Sequence, residues 1–144
     1  MGRYNTIPQI ADWGRRYEEA RVASGVTVYP GMLIDINSSG EVVIATPNAG
    51  ASAPTRIAIE DGIIGRTVDT PYTAGELCRY VQPLPAEVYA LRVLSGETIA
   101  VGDDLIAADN GLFKETTGSP TKVYARAIET YTPSGDQLVL ASIY

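Results

Sequence analysis

Histidine is absent from this chain of 144 residues, cysteine, tryptophan and phenylalanine occur once each, and two of the eleven basic residues are lysine. Without histidine there is no Ser-His-Asp or Cys-His catalysis, no ordinary zinc site and no side chain with an unperturbed pKa near neutrality. Carboxylate, lysine or tyrosine chemistry stays open, and no residue pattern demands it. The single Cys78 cannot close an internal disulfide, which fits synthesis and folding in a cytoplasm. No apolar run approaches the ~20 residues that cross a bilayer, and charges every few residues between Ile7 and Val22 argue against a signal peptide there. No Gly-Lys pair exists to build a phosphate loop. A formal charge of −6 and a pI near 4.5 leave no evident basic face for nucleic acid.

What is present points to β structure. The length suits one domain, and fourteen glycines, nine prolines and 45% apolar residues favour many short strands joined by turns. The charge is uneven, net +1 over residues 1–25 and −7 over the rest. Ile7, Ile10, Trp13, Tyr17 and Ala20 recur at helical spacing, with Pro8 suited to a first turn and Gly25 to a stop. The sequence therefore predicts an arm over residues 1–24 with one short N-terminal helix, weakened by Gly14. From Gly25 the period becomes two. That predicts a β domain over residues 25–144, with strands at 26–29, 33–36, 41–45, 56–60, 77–82, 87–94, 122–129 and 137–144.

A repeat runs through this domain. Gly25 to Gly31 lies over Gly96 to Gly102 at an offset of 71 residues, Gly40 lies over Gly111, and Ala58-Ile59-Glu60 is echoed by Ala127-Ile128-Glu129 at an offset of 69. The physical reading is two similar hairpin modules, 25–60 and 96–129, turning at glycines that tolerate positive φ. Packed together they would make a small β-barrel or β-sandwich.

The remaining constellations read as structure. Asp103-Asp104 and Asp109-Asn110-Gly111 lack the alternating ligands and closing glutamate of a calcium loop, and Asp-Asn-Gly is first a turn. Glu60, Asp61 and Asp69 read as strand-end and turn carboxylates. Cys78, beside Arg79 and without a partner base, reads as a buried small residue. The stretch from Gly96 to Leu105 resembles the hairpin of lipoyl and biotinyl carrier domains, but neither Lys114 nor Lys122 sits at a tip of that kind. No cofactor and no metal are expected. Nine tyrosines against one phenylalanine point to surface that meets partners.

Several stretches in order resemble bacteriophage head decoration proteins, the capsid cement family. They are Val26 to Ile34 with Ser39 to Val43, Tyr72 to Glu76, Val88 to Leu91, Gly96 to Leu105 with Asn110-Gly111, Ala125 to Glu129, and Thr6-Ile-Pro8 with Ala11-Asp-Trp13. The resemblance implies a mostly β, β-tulip-like domain that binds the outer surface of an assembled head, bridges major capsid protein subunits and is often a homotrimer. It implies no catalytic residues, no nucleic acid and no membrane. Residues 80–86 depart from the family's more polar segment, which leaves the shell-binding face open.

The arm supplies candidate capsid or intersubunit contacts: Arg3, Tyr4, Trp13, Arg15, Arg16 and Tyr17. Two readings stand side by side. Either these residues reach a neighbouring subunit, or Trp13 and Tyr17 pack onto their own domain while the arginines are solvated. The competing functional class is a capsid-displayed carbohydrate- or host-surface-binding module using loops 46–55 and 116–121, which lack the aromatics sugar stacking wants.

Overall fold

The computed structural model of the chain describes residues 3–10, 17–46, 54–116, 118, 122–134 and 137–144. Their strands are β1 (Pro8–Ile10), β2 (Glu18–Arg21), β3 (Leu33–Ile36), β4 (Val42–Ile44), β5 (Arg56–Ala58), β6 (Leu77–Val81), β7 (Val88–Arg92), β8 (Asp104–Ala107), β9 (Phe113–Glu115), β10 (Ala125–Ala127) and β11 (Leu138–Ile143). They form two sheets with antiparallel pairing, ordered β2-β6-β5-β3-β4 and β1-β7-β11-β10-β8-β9. The fold is thus mostly β, as its glycine, proline and alternating segments require.

Apart from β1, the second sheet repeats the first strand for strand. The correspondence extends to single bonds. Val22 bridges Val42, and 71 residues on Val93 bridges Phe113. Val28 exchanges both backbone bonds with Tyr72, as Ile99 does with Tyr131. Gly31 N–H donates to Ala58 O at 2.8 Å and Gly102 N–H to Ala127 O at 2.9 Å. The first unit therefore spans 18–81 and the second 88–143. In each, the residue after the leading strand makes one parallel bridge to the last strand, so the sheet curls, but no continuous ladder closes a barrel.

Among the described residues the expected N-terminal helix is not seen. Pro8–Ile10 is an edge strand on β7 and Glu18–Arg21 pairs with β6, while Trp13 and its neighbours, residues 11–16, lie outside the described residues. The apolar spacing was misleading because its members have different surroundings: Ile7 is fully buried and Ile10 is 67% exposed. Long-range pairing outweighs a weak helical period, and Pro8 is tolerated because an edge strand has one side without a ladder partner. Residues 26–29 also form no strand, only the bridge at Val28. Among the described residues helix is limited to two short 3-10 turns, Gly62–Ile64 and Asp109–Gly111.

Two apolar clusters hold the molecule together. A small one lies within the first unit, where Val22, Val28, Ile34, Val42, Ala58, Tyr72, Cys78 and Tyr80 meet. The larger one joins the units, with Leu33, Ile57, Ile59 and Val81 of the first packed with Leu91, Phe113, Leu138 and Val139 of the second. Close approach there requires glycine. A Cβ on Gly31 would sit 2.9 Å from Leu138 Cδ2 and 3.1 Å from Ala90 O, and one on Gly111 would sit 2.8 Å from Leu33 O. Four tyrosines, Tyr72, Tyr80, Tyr89 and Tyr124, are buried, so much of the tyrosine excess serves the core rather than a contact surface.

Candidate functional site

The arm is held by two glutamates that occupy the same place in the two units. Glu60, which follows β5, accepts the Ile7 N–H at 2.9 Å. Glu129, which follows β10, accepts Tyr4 OH at 2.7 Å and pairs with the Arg3 guanidinium at 2.7 Å. The other oxygen of Glu129 accepts the Leu140 N–H at 2.9 Å, which orients the carboxylate toward the arm. Arg3 also lies over the Tyr131 ring, 3.6 Å from its centroid, a stacking that adds cation–π attraction to the ion pair. Burial pushes the Glu60 carboxyl above its ordinary range, opposed by the Ile7 N–H and the Arg79 charge.

The candidate contacts are therefore dispersed in role. Arg3 and Tyr4 are engaged with the second unit of their own chain, with Arg3 still exposed overall. Tyr17 is 42% exposed and stacks on Arg79, whose guanidinium lies 3.8 Å from the ring centroid. Trp13, Arg15 and Arg16 lie outside the described residues. The two clamping glutamates escaped notice as functional positions, although the echoed Ala-Ile-Glu that contains them was visible.

An open groove of about 440 Å³ lies beside Tyr17's partner, between β2, β6 and the Gly62–Ile64 turn. Its apolar part is Ile63, Ile64 and Leu77, exposed by 76%, 65% and 48%. Its polar wall is Arg79, which bridges Asp61 at 3.3 Å and Glu19 at 3.5 Å. Arg21 closes one end and donates to Gly75 O at 2.8 Å. A shallow groove with this mixture suits protein contact better than enclosure of a small molecule.

Two reactive side chains, Cys78 and Tyr72, are buried. Burial pushes the Cys78 thiol up to about 12, so the nucleophilic thiolate is disfavoured. Tyr72 is likewise raised by burial and donates its hydroxyl to Ile59 O. Among the described residues no three metal-binding side chains cluster.

Neither a protein-family model nor a curated protein matches the sequence. Among solved structures, the chain is similar to the N base of the head fiber protein gp8.5 of bacteriophage phi29, with a TM-score of 0.58. The likeness covers 90% of this chain and 95% of that one at 20% identity. It establishes a shared fold. At that identity the side chains of the arm and groove are this protein's own and must be read from its own geometry.

Proposed function

We propose that this chain is a structural, non-catalytic protein of a bacteriophage head. It binds the outer surface of the assembled capsid, where it bridges major capsid protein subunits as a homotrimer. Synthesis takes place in the host cytoplasm, and the role uses no cofactor, nucleic acid or membrane. The observation that carries the reading is the fold, shared over nearly its whole length with the base of a phage head fiber. Sequence motifs resembling the cement family and the scarcity of reactive groups support it.

The mechanism is added interface. A protein that binds the assembled shell and not its free subunits stabilises the shell by mass action, and many copies multiply the effect. Co-sedimentation with expanded, undecorated heads of the source virus, followed by heating of those heads, tests it. Saturable binding with raised heat resistance is expected, and absence of binding to expanded and unexpanded heads removes the proposal. A second reading follows from the neighbour being a fiber base: the chain anchors a projecting structure without reinforcing the shell. Saturable binding with unchanged heat resistance would select that reading over cementing.

A further inference from the structure

The contact between the two units has unlike sides. From the first unit come Pro30, Gly31, Leu33 and Ile59; from the second come Arg92, Leu138 and Gly111. Because the units share one strand plan, each side has a counterpart on the other unit, and its apolar residues are exposed. Pro30 and Ile59 are buried, whereas their counterparts Val101 and Ile128 are 64% and 43% exposed. Leu138 is fully buried, whereas its counterpart Leu77 is 48% exposed. Gly31 and Gly111 are crowded, whereas a Cβ on Gly102 or Gly40 would meet open space. Three of the molecule's exposed large apolar residues thus mark the two halves of a contact the chain already makes internally.

We infer that these two outer faces meet between copies, head to tail, repeating the internal contact with a second copy of the chain as the partner. The polar anchor repeats with it. Arg92 donates its backbone N–H to Gly31 O at 2.9 Å, and its Nε to Pro30 O at 3.0 Å. Its counterpart is also an arginine, Arg21, exposed beside Leu77. In the contact between copies Arg21 takes the Arg92 role toward the carbonyls of Gly102 and Val101. Ile63 and Ile64 widen the apolar centre on the Leu77 side.

The one systematic difference fits an interface whose halves must stay hydrated before they meet. Leu33 and Ile57 are replaced in the second unit by Asp104 and Arg126, which pair at 3.2 Å, with Tyr144 OH donating to Asp104 at 2.6 Å. The contact between copies is accordingly more polar than the internal one, as reversible interfaces are. Unlike faces in contact generate a ring when the rotation closes and a filament when it does not. This inference specifies the surfaces behind the self-association proposed above, and it stands whether or not the assembly sits on a head.

Sedimentation velocity of the whole chain from micromolar to millimolar concentration tests it, with Leu77→Glu on one face and Val101→Glu on the other. The wild-type chain is expected to self-associate. Each variant should associate about 30-fold more weakly or worse, as loss of an interface hot spot does. An equimolar mixture of the two variants should form a dimer and nothing larger, since each keeps one intact face. A wild-type chain that stays monomeric overturns the inference, as do variants that associate like wild type or a mixture without dimer. Thermal melting separates lost contact from lost fold, and Ile128→Glu replaces Val101→Glu if the latter melts early. A monomeric variant that still sediments with heads leaves the head-binding proposal intact.

Discussion

Strands β2 and β7 hold the same place in their sheets, yet Val88–Arg92 is buried at all five positions, while three of the four positions in Glu18–Arg21 are exposed. β7 has β1 on its outer side and the first unit against it, whereas among the described residues only β6 pairs with β2. The charges of β2 follow from that: Glu18, Glu19 and Arg21 keep an open edge soluble and disfavour indiscriminate pairing. The opposite assignment holds on β3 and β8, where Leu33 is core and Asp104 is surface. One backbone plan thus accepts either polarity on a given face. Which face is inside is decided by a few side chains, and the polar replacements on the second unit keep its outer face from burying itself like the first.

The largest expected effect comes from shortening the leucines that open β6 and β11. Leu138→Ala removes a fully buried side chain at the joint between units and should cost about 4 kcal/mol, from lost transfer energy plus the cavity left behind. Leu77→Ala, at the matching exposed position, should cost less than about 1 kcal/mol in the isolated chain. Urea denaturation of both variants at a concentration where the chain is monomeric measures the difference. Equal costs would mean that the two units do not use these faces differently.

The glycine pair sharpens the same contrast. Gly31 and Gly102 both have positive φ, at 90° and 94°, so alanine at either carries a strain of about 1–2 kcal/mol. At Gly31 the new Cβ also meets Leu138 and the β7 backbone, and overpacking raises the total to about 3 kcal/mol. A denaturation midpoint that falls equally in both variants would show that the units are not closely packed at Gly31.

Arg92 and Arg21 form a third pair. Arg92 donates to Pro30 O and, through Nη2, to Val68 O at 2.9 Å. Arg92→Met keeps most of the apolar stem but leaves those buried carbonyls without these donors, for an expected loss of about 2 kcal/mol. Arg21→Ala should leave monomer stability within about 0.5 kcal/mol while weakening association between copies. Comparing chemical denaturation with sedimentation for the two variants separates the buried role from the contact role.

The repeat behind this contrast was readable in the residues, the difference in burial was not, and both outcomes have physical causes. Alternation and turn glycines mark β3, β4 and β11, whose burial varies along the strand, whereas β6 and β7, buried almost throughout, are marked by apolar and aromatic runs between turns. Alternation alone does not bound β8 (Asp104–Ala107) and β9 (Phe113–Glu115), and the strand reading has nothing there, although the 71-residue offset lays them over β3 and β4. The N-terminal helix failed because its spacing came from a few apolar residues with unrelated tertiary partners. Arg3 and Tyr4 were singled out as candidate capsid or intersubunit contacts; within the chain they bind Glu129, 126 and 125 positions away, and no local pattern announces so distant a partner. The burial of four tyrosines shows the same limit: composition counts aromatics without saying which side of a strand they take.

The smallest expected effect concerns the two clamping glutamates, and it is a matter of pH. Burial raises the Glu60 carboxyl above its ordinary value of 4.5, while the Ile7 N–H and Arg79 pull the other way without cancelling it. A raised folded-state value means that the folded chain binds this proton more tightly than the unfolded chain. The associated stability is present below the unfolded value and is lost as pH rises through the folded one. Glu60→Gln retains an oxygen for the Ile7 N–H and removes the titration. Relative to that variant, wild type should therefore lose stability as pH climbs from below 4.5 toward neutrality, and the gap should level off once Glu60 is fully ionised. Glu129→Gln provides the comparison, because Glu129 is ion-paired with Arg3 and accepts from Tyr4, whereas the arm group bonded to Glu60 is the neutral Ile7 N–H. Its main effect should be loosening of the Arg3 end at neutral pH, read as faster proteolysis after Arg3. If thermal melts of wild type and Glu60→Gln run parallel across this pH range, burial of the Glu60 carboxyl has no energetic consequence.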